Sequence, residues 1–245
     1  MKLISLNIEL NKHYDTVLDF LKRETPDVIC LQELLEDDFS RFKKELNMEA
    51  IFKVFSYFKN DPYYQDIEGK RQGVAIFAKN IVVSGALFYV GNEENLLKSK
   101  EEYLSNEEFK KNRVLLWVDV KDKEGEIYRF SNTHFPVTKK GESSLYQLEV
   151  ADKLLEKIMG LEEFVLCGDT NAPRGNETFS RLAKKLKDNI PLVYKTSIDQ
   201  NLHKVKGIQF MVDALFTTPA YKALNVKLID GVSDHMAVVA EISKN

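Results

Sequence analysis

Phe164-Val165-Leu166-Cys167-Gly168-Asp169-Thr170-Asn171 decides how this chain is read. Its apolar run is too short for a buried helix and suits a strand covered on both faces. The run ends on a carboxylate and an amide, groups that are costly in an interior unless something pairs with them. On its N-terminal side, Leu145, Leu148, Ala151, Leu155 and Ile158 recur at helical spacing. Before that helix come Val114 to Val120 and Ile127 to Thr133, two β-type runs with no helix between them. Such neighbours suit antiparallel pairing, so mixed sheets are expected.

The same rhythm extends in both directions. Lys2 to Ile8 reads as a first strand, Val17, Leu18 and Leu21 give a helical face ending before Pro26, and Asp27 to Gln32 reads as a buried strand. A helix over Glu36 to Glu45 precedes strands at Ala50 to Tyr57, Gly73 to Ala78 and Val82 to Val90. Past the opening stretch, a helix near Glu177 to Lys187 leads to strands at Met211 to Thr217 and Ala237 to Ile242. This is the pattern of an α/β chain. Residues 91–113, rich in Glu, Lys and Asn, read as a solvated helix or loop. There is no internal repeat or low-complexity linker, and 245 residues suit one domain over 1–245.

Lysine and arginine number 35 against 38 acidic residues, a net charge of -3, so the surface as a whole does not suit a polyanion. Nucleic acid, if bound, is gripped locally. Cys30 and Cys167 lie in apolar runs and are expected as buried free thiols. The N-terminal stretch lacks a secretory pattern, and no segment approaches the roughly 18 apolar residues of a membrane span. The expectation is a soluble, cytoplasmic protein, monomeric and without a membrane partner.

Chemistry is carried by polar residues that interrupt or end apolar runs. Asn7 interrupts the first strand, Glu33 ends Val28-Ile29-Cys30-Leu31-Gln32, and His134 ends Phe130-Ser131-Asn132-Thr133. Asp169 and Asn171 follow the opening run, Asp213 lies inside Met211 to Phe216, and Asp234-His235 precede the last strand. One strand-end Asp is ordinarily a cap or turn. Six such placements in one chain point to a site.

The motifs Ser5-Leu6-Asn7, Leu31-Gln32-Glu33, Gly73-Val74-Ala75-Ile76, Asn132-Thr133-His134-Phe135, Gly168-Asp169-Thr170-Asn171, Val212-Asp213-Ala214-Leu215-Phe216 and Ser233-Asp234-His235 run in the order of the endonuclease/exonuclease/phosphatase superfamily, which this chain resembles over nearly its whole length. The resemblance implies a four-layer α/β/β/α sandwich, with two mixed, mostly antiparallel sheets face to face and a metal site at one end. The ligand types agree independently, since carboxylate and amide oxygens suit Mg²⁺, with Mn²⁺ as a substitute, whereas zinc favours His and Cys. His13 and His203, outside the motifs, are expected on the surface.

Phosphodiester hydrolysis needs an in-line oxygen nucleophile, neutralisation of the non-bridging oxygens and stabilisation of the departing oxygen. Glu33 and Asp234 are expected on the metal with Asn7 completing or supporting the shell. Asp169 orients and helps deprotonate the water, and Asn171 contacts the phosphate or that water. His134 and His235 contact the phosphate, with Asp213 holding the His235 ring.

The substrate is less legible. His134 stands where abasic-site endonucleases of this superfamily usually carry a tyrosine motif, so the chain is similar instead to the branches of pancreatic-type deoxyribonuclease, 5′-tyrosyl-DNA phosphodiesterases, sphingomyelinases and inositol-phosphate phosphatases. Thr170, Asn112-Arg113 and Gln147-Leu148 resemble the tyrosyl-DNA branch, whereas Glu9 stands where that branch has aspartate. The first expectation is a Mg²⁺-dependent phosphodiesterase on nucleic acid, acting on single strands or strand ends. The second is a hydrolase of inositol phosphates, phospholipid headgroups or another small phosphoester, and the third a catalytically silent binding module. Arg113 is expected to reach the phosphate, and Tyr63, Tyr64 and Arg71 to offer stacking and charge beside it.

Overall fold

The apolar runs become strands that pair into two sheets. The computed structural model describes residues 1–57, 67–94 and 112–245. In chain order the elements are β1 (Lys2–Asn7), α1 (Tyr14–Glu24), β2 (Val28–Leu35), α2 (Glu36–Leu46), β3 (Glu49–Tyr57), β4 (Arg71–Ala78), β5 (Ile81–Val90), β6 (Arg113–Lys121) and β7 (Ile127–His134). They continue with α3 (Leu145–Ile158), β8 (Val165–Asp169), α4 (Glu177–Ala183), β9 (Lys187–Asp188), β10 (Asp213–Thr217), β11 (Tyr221–Ile229) and β12 (Ala237–Lys244).

One six-stranded sheet runs β11-β12-β1-β2-β4-β3 and the other β5-β6-β7-β8-β10-β9. Each is antiparallel except for one central parallel pair, β1 with β2 and β7 with β8. Three apolar clusters define the layers. Val28, Cys30, Ile76, Val118, Phe130 and Cys167 pack between the sheets. Ile4, Leu6, Ile29 and Phe77 face the other way, onto Val17, Leu21 and Phe42 of α1 and α2. Leu115, Leu166 and Phe216 pack against Val150, Leu154 and Phe179 of α3 and α4. Alternate residues of β2 and β8 serve two different cores, which is why both strands read as unbroken apolar runs. The result is the expected α/β/β/α sandwich.

The starts of α3 and α4 are capped: Ser144 Oγ accepts from Gln147 N at 3.1 Å, and Asn176 Oδ1 accepts from Phe179 N at 2.8 Å. The second of these helices ends at Ala183 rather than near Lys187, because Lys187 already pairs with Thr217 as β9. Both β9 and β11 are absent from the sequence reading. The latter is an edge strand with a bulge between Leu224 and Lys227 and exposed residues on both sides of it, so it shows no alternation. Cys30 and Cys167 are free and fully buried, and burial together with the neighbouring Cys167 thiol pushes Cys30 well above the usual thiol range. Among the described residues no helix is long and apolar enough to cross a membrane.

Candidate active site

Strand register alone brings three motif residues together. His134 pairs with Asp169 across β7 and β8, and Asp169 with Asp213 across β8 and β10, so the three stand side by side at one end of the sheet. Gly168 permits this approach: its φ is +150°, and a Cβ there would lie 2.1 Å from Thr133 O. On the facing sheet, Asn7 closes β1. Glu33 sits in a β2 bulge between Leu31 and Leu34 with φ +58°, which turns its side chain out of the ladder. Because β1 and β2 run parallel, as do β7 and β8, all four strands end at the same rim.

The side chains converge there. Asn7 Nδ2 donates to Glu33 Oε1 at 3.2 Å and to Asp169 Oδ2 at 3.1 Å, while its Oδ1 accepts from Glu9 N at 3.1 Å. Asn7 therefore supports the carboxylates with its amide, its oxygen being already engaged. His134 Nε2 lies 3.5 Å from Asp169 Oδ2 and 3.6 Å from Glu33 Oε1, and its buried Nδ1 has no hydrogen-bond partner among the described residues. His235 Nδ1 is 2.8 Å from Asp213 Oδ2, and its Nε2 is 3.8 Å from Asp169 Oδ2. Asn171, at φ +46°, donates its backbone N–H to Asp169 Oδ1 at 2.7 Å and its side-chain amide to Phe135 O at 3.0 Å, 3.1 Å from His134 Nε2.

A further shell fixes these groups. Gln147, fully buried on α3, donates Nε2 to Pro136 O at 3.0 Å and Asn171 O at 3.1 Å, tying together the chain after His134 and the turn that carries Asn171. Ser197 Oγ accepts from the N–H groups of Val212 and Asp213, each at 3.1 Å. Asp199 accepts from Asn201 N at 2.8 Å, Leu202 N at 2.9 Å and Gly231 N at 2.6 Å, and its own N–H donates to Asp234 O at 2.9 Å.

Charge divides the site into two halves. Burial works to raise the Asp169 carboxyl, but His235 and His134, with the Asn171 N–H, hold it down at about 2. Burial likewise works against the His235 imidazolium, and Asp213 and Asp169 outweigh it, holding the ring well above the ordinary histidine range. In the other half, burial pushes Asp234 up to about 7, with His235 opposing and Glu9 and Glu33 adding to the rise. Carboxylates crowded around one space are relieved by a cation, and their oxygens suit a hard divalent ion. Among the described residues, Asp169, Asp213 and His235 bring metal-capable atoms within 4.8 Å of one another. There the His235–Asp213 pair already balances its own charge; Glu33 and Asp234 line the same cavity, and their carboxylate oxygens also suit a hard cation.

A cavity of about 550 Å³ opens over these groups. Of the described residues expected at the site, all line it except Asp213, which stands behind His235, and Arg71. The Arg71 Nε donates to Tyr57 OH at 3.2 Å and its NH1 is 3.6 Å from Glu36 Oε2, so it is engaged away from the cavity wall. Tyr63 and Tyr64 lie outside the described residues. Arg113, at the start of β6, reaches the cavity over the Phe55 ring at 5.6 Å.

The surface expectation for the remaining histidines is corrected. His203 is half-buried on the cavity wall, and His13 Nε2 sits 2.9 Å from the buried Glu9. The reading also missed a whole wall, the loop bearing Ile198, His203, Ile208 and Phe210. That loop has no periodicity in sequence, and in the fold the buried Ser197 and Asp199 anchor it.

Comparisons with known proteins agree with this architecture. No curated protein matches the chain in sequence. Among solved structures, an endonuclease/exonuclease/phosphatase family protein from Bacteroides thetaiotaomicron superposes with a TM-score of 0.74 at 16% identity, covering 99% of this chain and 94% of that one. A mannosyl-6-phosphatase from the same organism gives 0.73 at 16% identity, covering 99% of each chain. The human Nocturnin catalytic domain with bound sulfate gives 0.73 at 18%, covering 100% of this chain and 93% of that one. At such identities the likeness is one of fold. The profile of the Endonuclease/Exonuclease/phosphatase family matches residues 4–235, and with the motif residues gathered at one rim the chain belongs to that family of phosphoester hydrolases.

Proposed function

We propose that the protein is a divalent-metal-dependent phosphodiesterase acting on single strands or strand ends of nucleic acid, with 5′-tyrosyl-DNA as its most specific candidate substrate. The observation that carries the hydrolytic reading is the convergence in one cavity of the carboxylates Glu33, Asp234 and Asp169 with the imidazoles His134 and His235. Glu33 and Asp234 would hold Mg²⁺, or Mn²⁺ in its place, and Asn7 orients Glu33. A cation bound there supplies positive charge to the phosphate oxygens and the departing oxygen. Asp169, ionised throughout the working range, orients the attacking water and takes its proton. His235 donates from Nε2 to a non-bridging oxygen while Asp213 holds its Nδ1, and His134 with the Asn171 amide flanks the same phosphate. Arg113 adds charge from the β6 side.

Volume and sequence bear on the substrate. The cavity of about 550 Å³ falls in the roughly 300–1,000 Å³ range of small-molecule pockets, so it takes a strand end rather than a duplex. The tyrosyl-DNA version rests on the motif resemblance. Thr170, one of its cues, is buried and donates to Val212 O at 2.7 Å, so that residue supports the site without facing substrate. The same volume favours, as a second reading, a small phosphoester such as a sugar or inositol phosphate.

The test is a panel of 5′-phosphotyrosyl oligonucleotide, plain single-stranded oligonucleotide, inositol and sugar phosphates and bis-p-nitrophenyl phosphate, each with Mg²⁺ and with EDTA. Release from the oligonucleotides that EDTA abolishes is expected. Cleavage of the small esters alone moves the assignment to the second reading, and no cleavage of any substrate leaves a binding module.

A further inference from the structure

The chain leaving His134 carries two exposed lysines, Lys139 and Lys140, between two residues that line the cavity, Thr138 and Gly141. The pair therefore stands on the cavity rim. Neither ammonium has a carboxylate partner among the described residues, although Glu142 follows them, exposed, in the same turn. The exposed Lys204 also lines the cavity, on the loop that ends at Phe210.

This turn is held in place. Lys140 sits at φ +54°, a left-handed conformation unfavourable for a lysine, and Gly141 follows at φ +68°. A Cβ on Gly141 would lie 2.6 Å from Pro173 Cγ and 3.1 Å from Phe210 Cε2, so the turn rests on the segment after β8 and on the facing loop. Asn176 Nδ2 donates to Gly141 O at 3.1 Å, and Thr178 N donates to Ser143 Oγ at 3.0 Å. A solvated lysine needs no such scaffold. Rigid display of two positive charges beside the cavity, on a chain of net charge -3, marks a local anion surface.

We propose that Lys139 and Lys140 bind the phosphates that flank the reacting one in a single-stranded nucleic acid, making this rim the strand-binding surface of the enzyme. The inference rests on the nucleic-acid reading above. Lysines outside the cavity have nothing to hold in a sugar phosphate contained within it, whereas a strand emerging from the cavity carries its next phosphates across the rim.

The experiment compares wild type with Lys139→Glu/Lys140→Glu and Lys139→Arg/Lys140→Arg, using a short single-stranded oligonucleotide and bis-p-nitrophenyl phosphate with Mg²⁺ over a series of KCl concentrations. Circular dichroism melts establish that the variants fold. The glutamate pair is expected to lower the ratio of kcat/KM for oligonucleotide to that for bis-p-nitrophenyl phosphate by at least tenfold at low salt. Its log–log salt slope on the oligonucleotide should become shallower by about 1.4, two single-strand phosphate contacts at about 0.7 each. The arginine pair should restore both. A folded glutamate variant with wild-type ratio and slope overturns the rim assignment while leaving the nucleic-acid reading in place. A wild-type enzyme that cleaves bis-p-nitrophenyl phosphate but no oligonucleotide overturns both.

Discussion

Gln32 on β2 donates its side-chain amide to Asn132 Oδ1 on β7 across 2.8 Å, in the interior between the two sheets. Asn132 answers with Nδ2, donating to Leu31 O at 2.8 Å and Ala75 O at 3.0 Å. Both residues lie next to the rim, one position before Glu33 and two before His134. The exchange therefore sets the distance between the carboxylate half and the imidazole half. Asn132→Leu or Gln32→Leu strands the other partner in a dry interior and is expected to cost about 1–3 kcal/mol of unfolding free energy, with the double variant costing less than the sum. Urea unfolding of the four proteins measures this; additive losses would show that the two amides act independently.

The proposed metal ligands are Glu33 and Asp234. Glu33→Ala and Asp234→Asn should each raise the Mg²⁺ concentration for half-maximal activity by at least the roughly 10–100-fold seen when outer-shell partners are lost. They should also remove the shift in Tm that Mg²⁺ gives the wild type. An unaltered Mg²⁺ titration in Glu33→Ala would place the cation elsewhere, with Asp169, Asp213 and His235 as the alternative group.

For the imidazole half, His235→Ala and Asp213→Asn are expected to lower kcat by about 10²-fold, the loss typical of one transition-state contact, with KM little changed. Stopped assays at saturating substrate suffice. A His235→Ala enzyme within twofold of wild type would remove that ring from the reaction.

Gln147 does not line the cavity, yet it secures the turns bearing Asn171 and the exit of His134. Gln147→Leu keeps the volume and loses both hydrogen bonds, and Gln147→Glu points oxygens at the Pro136 and Asn171 carbonyls. Turnover should fall about tenfold or more in the first and further in the second, at unchanged Mg²⁺ dependence, because small misplacements near reacting groups are costly. A variant that loses Tm but keeps kcat would make the residue purely structural.

The wall loop should show an acid-sensitive anchor. Burial works to raise the Asp199 carboxyl, and bonds from the N–H groups of Gly231, Leu202 and Asn201 outweigh it, so its folded value is depressed. A depressed carboxyl contributes stability that is whole above the unfolded-state value, about 3.9, and lost as pH falls through the folded value. The stability gap between wild type and Asp199→Asn is therefore full near neutrality and closes below about pH 4. Chemical unfolding at several pH values reads it, and a gap independent of pH contradicts it.

The strands that carry the site were legible because they are buried on both faces and end abruptly in polar residues, as at Cys167-Gly168-Asp169. Edge strands were not: Lys222, Leu224, Asn225 and Lys227 of β11 share an outer edge where neither burial nor alternation constrains them. The catalytic row could be named from sequence, but its neighbours are set by register and loop closure. His203 reads as one more polar residue in a stretch without period, and only the fold carries it to the cavity wall. Arg71, read as a free basic tip, is taken by Tyr57 and Glu36 on adjoining elements.

The two parallel pairs, β1 with β2 and β7 with β8, bring Asn7 and Glu33 from one sheet against His134 and Asp169 from the other. Sliding one sheet by a single residue, about 3.3 Å, would carry Glu33 out of step with His134 while leaving every ladder hydrogen bond intact. Turnover is thus a ruler laid across the interface: it reports the alignment of two slabs, and it should fade under any stress that shears them, well before spectroscopy registers a lost strand.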